Sequence, residues 1–144
     1  MVDVAALGRT GEPFEVPLER GKIREFARAT FSANPSYLDD AEPVVPPTFL
    51  TTTAFWSMPG SDPWTAVQMD QSRGLHAEQE YVFHGPPPRA GTTLTATSRI
   101  ESITSKPGRR GGELTFVVMV TEFRDPSGTL VAEATLTGVE TAAL

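Results

Sequence analysis

The C-terminal half constrains the fold most. Between Thr93 and Val139, three long runs rich in threonine and valine are separated by two turn signals, PGRRGG at 107–112 and DPSG at 125–128. β-Branched runs joined by tight glycine–proline turns predict strands over Thr93–Ser105, Leu114–Phe123 and Thr129–Val139, paired as an antiparallel meander. Another strand is expected over His76–Phe83, with Ala77, Tyr81 and Phe83 on one side and Glu78 and Glu80 on the other. Phe14-Glu15-Val16 reads as a short strand.

The N-terminal half supplies what such a sheet must cover. Ile23, Phe26, Ala27, Thr30 and Phe31 fall at helical spacing, and Lys22, Arg24, Glu25 and Arg28 take the opposite face. Pro35 is expected to stop this helix, leaving Asn34-Pro35-Ser36 as a turn. After the acidic loop LDDAEPVVPP, Pro46-Pro47 is placed to open a second helix. Its body, Thr48–Met58 (TFLTTTAFWSM), carries no charge, which predicts burial on all sides. The expected class is α+β: a curved antiparallel sheet wrapped around one buried helix. Residues 1–13 read as a loose lead-in and 14–144 as one domain.

A net charge of −6 gives no basic face for nucleic acid. The absence of cysteine excludes disulfides, thiolate metal sites and a cysteine nucleophile. No apolar run approaches the ~20 residues of a membrane span, and Met1–Thr10 has no signal-peptide pattern. A cytoplasmic protein is expected, with no metal and no cofactor.

Three segments resemble the MaoC-like hydratase/dehydratase family, in particular its FAS1-type branch and the noncatalytic subunits of heterodimeric (3R)-hydroxyacyl-ACP dehydratases. They are GKIREFARATFSANPSY (21–37), VVPPTF (44–49), and HAEQEYVFHGPPPRAGTTLTATSRI with GRRGGELTFVVMVTEF (76–123). The resemblance implies a hot-dog fold, a sheet around a central helix, and chemistry on enoyl or 3-hydroxyacyl thioesters of CoA or of an acyl carrier protein. Active members carry Gly-Asp-x-Asn-Pro-x-His after the first helix, and their Asp and His exchange protons with the substrate through one water.

Here the matching stretch is Phe31-Ser32-Ala33-Asn34-Pro35-Ser36-Tyr37. Asn34 and Pro35 match. Ser32 replaces the aspartate and Tyr37 the histidine, and neither is a base near neutral pH, since tyrosine titrates near ~10. Active members also have Ala-His-Gly at the start of the buried helix, where the glycine N–H serves an oxyanion hole. Pro46 and Pro47 stand in place of His-Gly, and proline has no N–H. The resemblance therefore implies a chain without catalytic residues of its own. It would supply pocket walls and an interface, while a MaoC-like partner or a second copy completes a dimer or tetramer.

Substrate contacts are expected from Asn34, Pro47, Thr48 and Trp56, and from Arg109 and Arg110 if these meet a phosphate of CoA or of a carrier's pantetheine arm. The commoner role for the arginines is a basic hairpin tip, and for Trp64 a core or interface position. His84, at a strand end before Gly85-Pro86-Pro87, is a weaker catalytic candidate. His76 lies eight residues away, on the same side of a regular strand and roughly 25 Å distant, so the two cannot share a metal. Asp39, Asp40 and Glu42 read as a solvated loop cluster. Two other roles remain open: a thioesterase-like enzyme using Asp70, Glu78 or His84, and a non-enzymatic module that binds acyl thioesters.

Overall fold

The computed structural model describes residues 1–109 and 111–142. Five strands form one antiparallel sheet in the order β1-β3-β4-β5-β2. They are β1 (Phe14–Pro17), β2 (Gly74–Phe83), β3 (Thr93–Pro107), β4 (Glu113–Arg124) and β5 (Leu130–Glu140). The expected meander is β3-β4-β5. The DPSG turn closes its second hairpin: the Asp125 carboxylate accepts from Ser127 N at 2.9 Å and Thr129 N at 3.0 Å. Gly128 takes the left-handed φ of 85° that follows a type I turn in a three-residue loop.

Two helices cross the N-terminal side, α1 (Arg20–Ala29) and the one-turn α2 (Pro35–Leu38). Ile23 and Ala27 are buried as their spacing predicts. Phe31 is not: it is 96% exposed and sits at φ 57°. Phe31 N donates to Arg28 O at 3.0 Å and Ser32 N to Ala27 O at 2.8 Å. These two bonds make a Schellman cap, whose left-handed position glycine usually fills. The helix therefore ends before Pro35 can act, and the cap turns Phe31 away from the core.

The filling of the sheet also differs from expectation. Instead of a buried α-helix over Thr48–Met58, a 3-10 helix spans Phe49–Phe55. Phe49, Leu50, Thr52 and Thr53 are buried, whereas Phe55 is 77% and Met58 63% exposed. The threonines explain this: the Thr53 hydroxyl bonds the Leu50 carbonyl one tight turn back, competing with regular α-helix. Seven residues at about 2.0 Å rise give a segment of only ~14 Å.

Because the filling is short, the core divides. One cluster joins Phe14, Val16, Leu94, Ala96, Phe123 and Ala132 of the sheet to Leu18, Ile23, Val45, Phe49 and Leu50. The other holds Val2, Ala6, Val67, Ile100 and Val117, with Trp64 packed against it. Residues 1–13, expected to be loose, lie along β3: Gly8 N donates to Ile100 O at 3.0 Å and Gly11 N to Ser98 O at 2.9 Å. At this end Glu140, 5% exposed, accepts from Asp70 N at 2.8 Å and from Arg73 Nη2 at 3.0 Å. A buried carboxylate is tolerable when paired and hydrogen-bonded in this way.

Candidate functional site

Between the two core clusters lies a cavity of about 280 Å³. This is near the lower end for small-molecule pockets, with room for roughly nine water-sized groups. Leu50, Thr51, Thr53, Ala54 and Ser57 form the wall on the 3-10 side. Ser98, Met119, Thr121, Phe123, Ala134 and Leu136 form the sheet side, and β2 adds His76, Gln79 and Tyr81. The sheet residues alternate along their strands and so point to one face, the concave one.

His76 reaches this cavity through an irregularity. β2 pairs regularly with β5 from Glu78 to Phe83, but the register shifts between His76 and Glu78. The extra residue, Ala77, inverts the side-chain alternation. His76, Gln79, Tyr81 and Phe83 consequently share the inner face, in correction of the expected Ala77, Tyr81, Phe83 set. The two histidines also part company. His84 lies on the outer face, with Nε2 2.6 Å from Glu133 Oε2, and His76 lines the cavity. Asp62 lines it too, while its carboxylate accepts from Trp64 N at 2.9 Å. Asp62 and His76 are not in ion-pair contact.

The loop that matches the dyad-bearing motif is held by local hydrogen bonds. Ser32 Oγ accepts from Asn34 N at 3.3 Å, and Asn34 Oδ1 caps α2 by accepting from Ser36 N at 3.0 Å. Tyr37 is half-buried against the first core cluster. Pro46 is buried, and its carbonyl accepts from Phe49 N at 3.0 Å to open the 3-10 helix. Pro47 and Thr48 are exposed beside it. Trp56 packs against the first core cluster with its ring edge toward Phe55, centroids 6.4 Å apart. Trp64 lies over Gly138 in the second cluster.

The other sequence candidates are dispersed. Arg109 is exposed at the β3–β4 tip, roughly 25 Å along the strands from the Met119 level of the cavity; Arg110 lies outside the described residues. In the acidic loop, Asp40 accepts from Glu42 N at 2.9 Å and pairs with Arg89 at 3.3 Å. The Glu42 N–H, followed by the Arg89 guanidinium, holds its carboxyl below the ordinary value. Asp70 is bound by Ser72 Oγ at 2.6 Å and Arg73 Nε at 2.9 Å, which bring its pKa down to about 2. Glu78 is exposed on β2. Sequence reasoning missed Ser98, Thr121, Asp62 and Gln79; for Ser98 the signal was a polar residue in phase with the inward-facing Ala96 and Ile100.

A family model described as FAS1-like, dehydratase domain region, matches residues 5–134. A UPF0336 protein of Parafrankia sp. is 37% identical over 133 residues, covering 85% of this chain and 82% of that protein. Another, from Streptomyces avermitilis, is 36% identical over 118 residues, covering 74% and 77%. In structure the chain is similar to the C-terminally truncated HadBC (3R-hydroxyacyl-ACP dehydratase) complex from Mycobacterium tuberculosis. That likeness has a TM-score of 0.74 and 26% identity over 93% of this chain and 96% of the other. The ChsH1-ChsH2 complex from the same organism shares the fold, with a TM-score of 0.73 at 17% identity over 97% and 87%. With the sheet, its short filling and the matched residues agreeing, the chain belongs to the FAS1-like dehydratase-region family and has the MaoC-like hot-dog fold.

Proposed function

We propose that this chain is the noncatalytic, acyl-binding subunit of a cytoplasmic hydro-lyase that hydrates enoyl thioesters or dehydrates 3-hydroxyacyl thioesters. The observation that carries the reading is the loop Phe31–Tyr37. It keeps the Asn34-Pro35 turn, with Asn34 capping α2, but offers a serine hydroxyl and a packed tyrosine where the chemistry needs a carboxylate and an imidazole. Moving a proton to and from carbon at neutral pH requires groups that titrate near that pH. A partner of the same fold would supply the Asp and His, and this chain's cavity would receive the acyl chain. Asn34, Pro47, Thr48 and Trp56 border the route in this reading, and Arg109 with Arg110 would meet a phosphate carried by the CoA or carrier arm.

The partner's place is suggested by the sheet. Among the described residues β2 is an edge strand ten residues long, bonded only to β5. A long unprotected edge invites another strand. The HadBC and ChsH1-ChsH2 structures are complexes, which supports a second hot-dog chain as partner.

The test is reconstitution. The isolated chain should not hydrate short or medium 2-enoyl-CoA, and a catalytic MaoC-like partner should restore turnover. Ser32→Ala and Tyr37→Ala should then leave kcat of the assembled complex within about tenfold, a barrier change of roughly 1.4 kcal/mol at most. Loss of turnover in either variant, with assembly intact, would overturn the noncatalytic assignment. A second reading rests on Asp62 and His76 lining one cavity: a thioesterase-like enzyme. It requires acyl-CoA hydrolysis by the single chain, abolished by His76→Ala.

A further inference from the structure

Two buried hydroxyls on the cavity wall carry a hydrogen-bond donor that the protein does not use. Ser98 on β3 and Thr121 on β4 are directly paired and both line the cavity. Their hydroxyl oxygens are 2.8 Å apart, close enough for one hydrogen bond. Each hydroxyl carries a single proton. One proton bridges the two oxygens, and the second is left over. Among the described residues neither oxygen has a further partner. Both are largely shielded from bulk solvent, Ser98 being 6% and Thr121 8% exposed. The neighbours of the pair in the sheet are apolar, Ala96 and Phe123 on one side, Ile100 and Met119 on the other, and Ala134 across from Thr121, while Asp62, His76 and Gln79 line the cavity elsewhere. The remaining proton has only the cavity to point into.

We propose that this hydroxyl pair makes the cavity selective for acyl chains that carry an acceptor oxygen, keto or ether, part-way along the chain. This rests on the reading that the cavity holds the acyl chain. A plain alkyl chain displaces cavity water and leaves this donor unpaired. A chain with an oxygen at the right carbon satisfies it. A buried polar group left unpaired is penalised more than a made hydrogen bond is rewarded, so selectivity arises from rejection of the alkyl chain as much as from attraction. Sites that must hydrogen-bond a substrate discriminate by the same asymmetry.

Ser98, Thr121 and the lining described above lie on this chain, so the probes are titrated against the isolated chain. The probes are decanoyl-CoA and analogues of equal length with one keto oxygen at successive mid-chain carbons, titrated calorimetrically. One position, or two adjacent ones, should bind about three- to tenfold tighter than decanoyl-CoA, the effect of one neutral hydrogen bond. Ser98→Ala should keep the preference, since Thr121 still donates. The double change Ser98→Ala with Thr121→Val should erase it, leaving decanoyl-CoA affinity equal or better. Affinities within twofold across the wild-type series would overturn the proposal, whether or not any variant folds. So would a preference that survives in the double variant. If decanoyl-CoA binds but is indifferent to the oxygen, selectivity alone falls. If none of the probes binds, the acyl-cavity reading falls with it.

Discussion

Replacing Phe31 with glycine should make the isolated chain more stable, although it deletes the largest side chain in its loop. The Schellman cap ending α1 needs a left-handed residue at this position, and Phe31 is held at φ 57°. For an L-residue that conformation costs about 1–2 kcal/mol. Glycine avoids the cost but loses roughly 0.5–1 kcal/mol more backbone entropy on folding. No packing is sacrificed, because the ring is 96% exposed. The balance is a gain of about 0.5–1 kcal/mol. Urea unfolding at fixed protein concentration should show it as a midpoint raised by roughly 0.3–0.7 M, and a thermal melt as about 2–4 °C. Phe31→Ala is the control. It removes the ring but keeps a Cβ in the strained conformation, so it should stay close to the wild type. If alanine stabilises as much as glycine, exposure of the ring and not backbone strain is responsible. If neither stabilises, the helix end is not strained as described.

Gly138→Ala should destabilise by about 1–3 kcal/mol, because a Cβ there would come within 2.7 Å of the Trp64 ring; a melt of the variant measures it, and an unchanged melt would mean the indole is not seated on β5. Asp70 has its carboxyl lowered to about 2 by Ser72 and Arg73, against an ordinary value near ~4. Its contribution to stability is therefore complete above pH ~4 and is lost as the pH falls towards 2, so Asp70→Asn should flatten the acid limb of stability between about pH 4 and 2. Proline placed in turn at Glu78, Gln79 and Glu80 should separate two parities of β2. Where the N–H points outward, assembly with a partner should weaken while the fold persists; where it bonds β5, the chain itself should lose stability. Sedimentation and melting curves distinguish the two, and equal damage at all three positions would argue against an edge pairing.

Much of the sheet was legible in the sequence because β-branched runs and turn chemistry are local signals. Thr93, Leu114 and the DPSG turn sit within a residue or two of where the strands and their loop occur. The irregularities were not legible. The shift at Ala77 reverses which side of β2 every earlier residue faces, and it depends on pairing with β5, far away in sequence. Parity alone put His76 and His84 on one side; the bulge separated them. Phe31 fits the apolar stripe of α1 by spacing, yet its position after the last helical turn exposes it.

The uncharged stretch Thr48–Met58 shows the limit in another way. Its composition announced burial on all sides, yet only Phe49, Leu50, Thr52 and Thr53 are buried, and the exposed side, with Phe55 and Met58, follows from the 3-10 geometry. The sequence by itself determined the strand-rich α+β class, the turn at Asn34-Pro35 and the fact that Phe31–Tyr37 holds no carboxylate or imidazole, because residue identity alone settles whether such a group exists. Only the tertiary structure decided where a ligand has room. The cavity, its His76 wall and the buried Ser98–Thr121 pair come from strands distant along the chain, brought together by register and left uncovered by a filling too short to span the sheet.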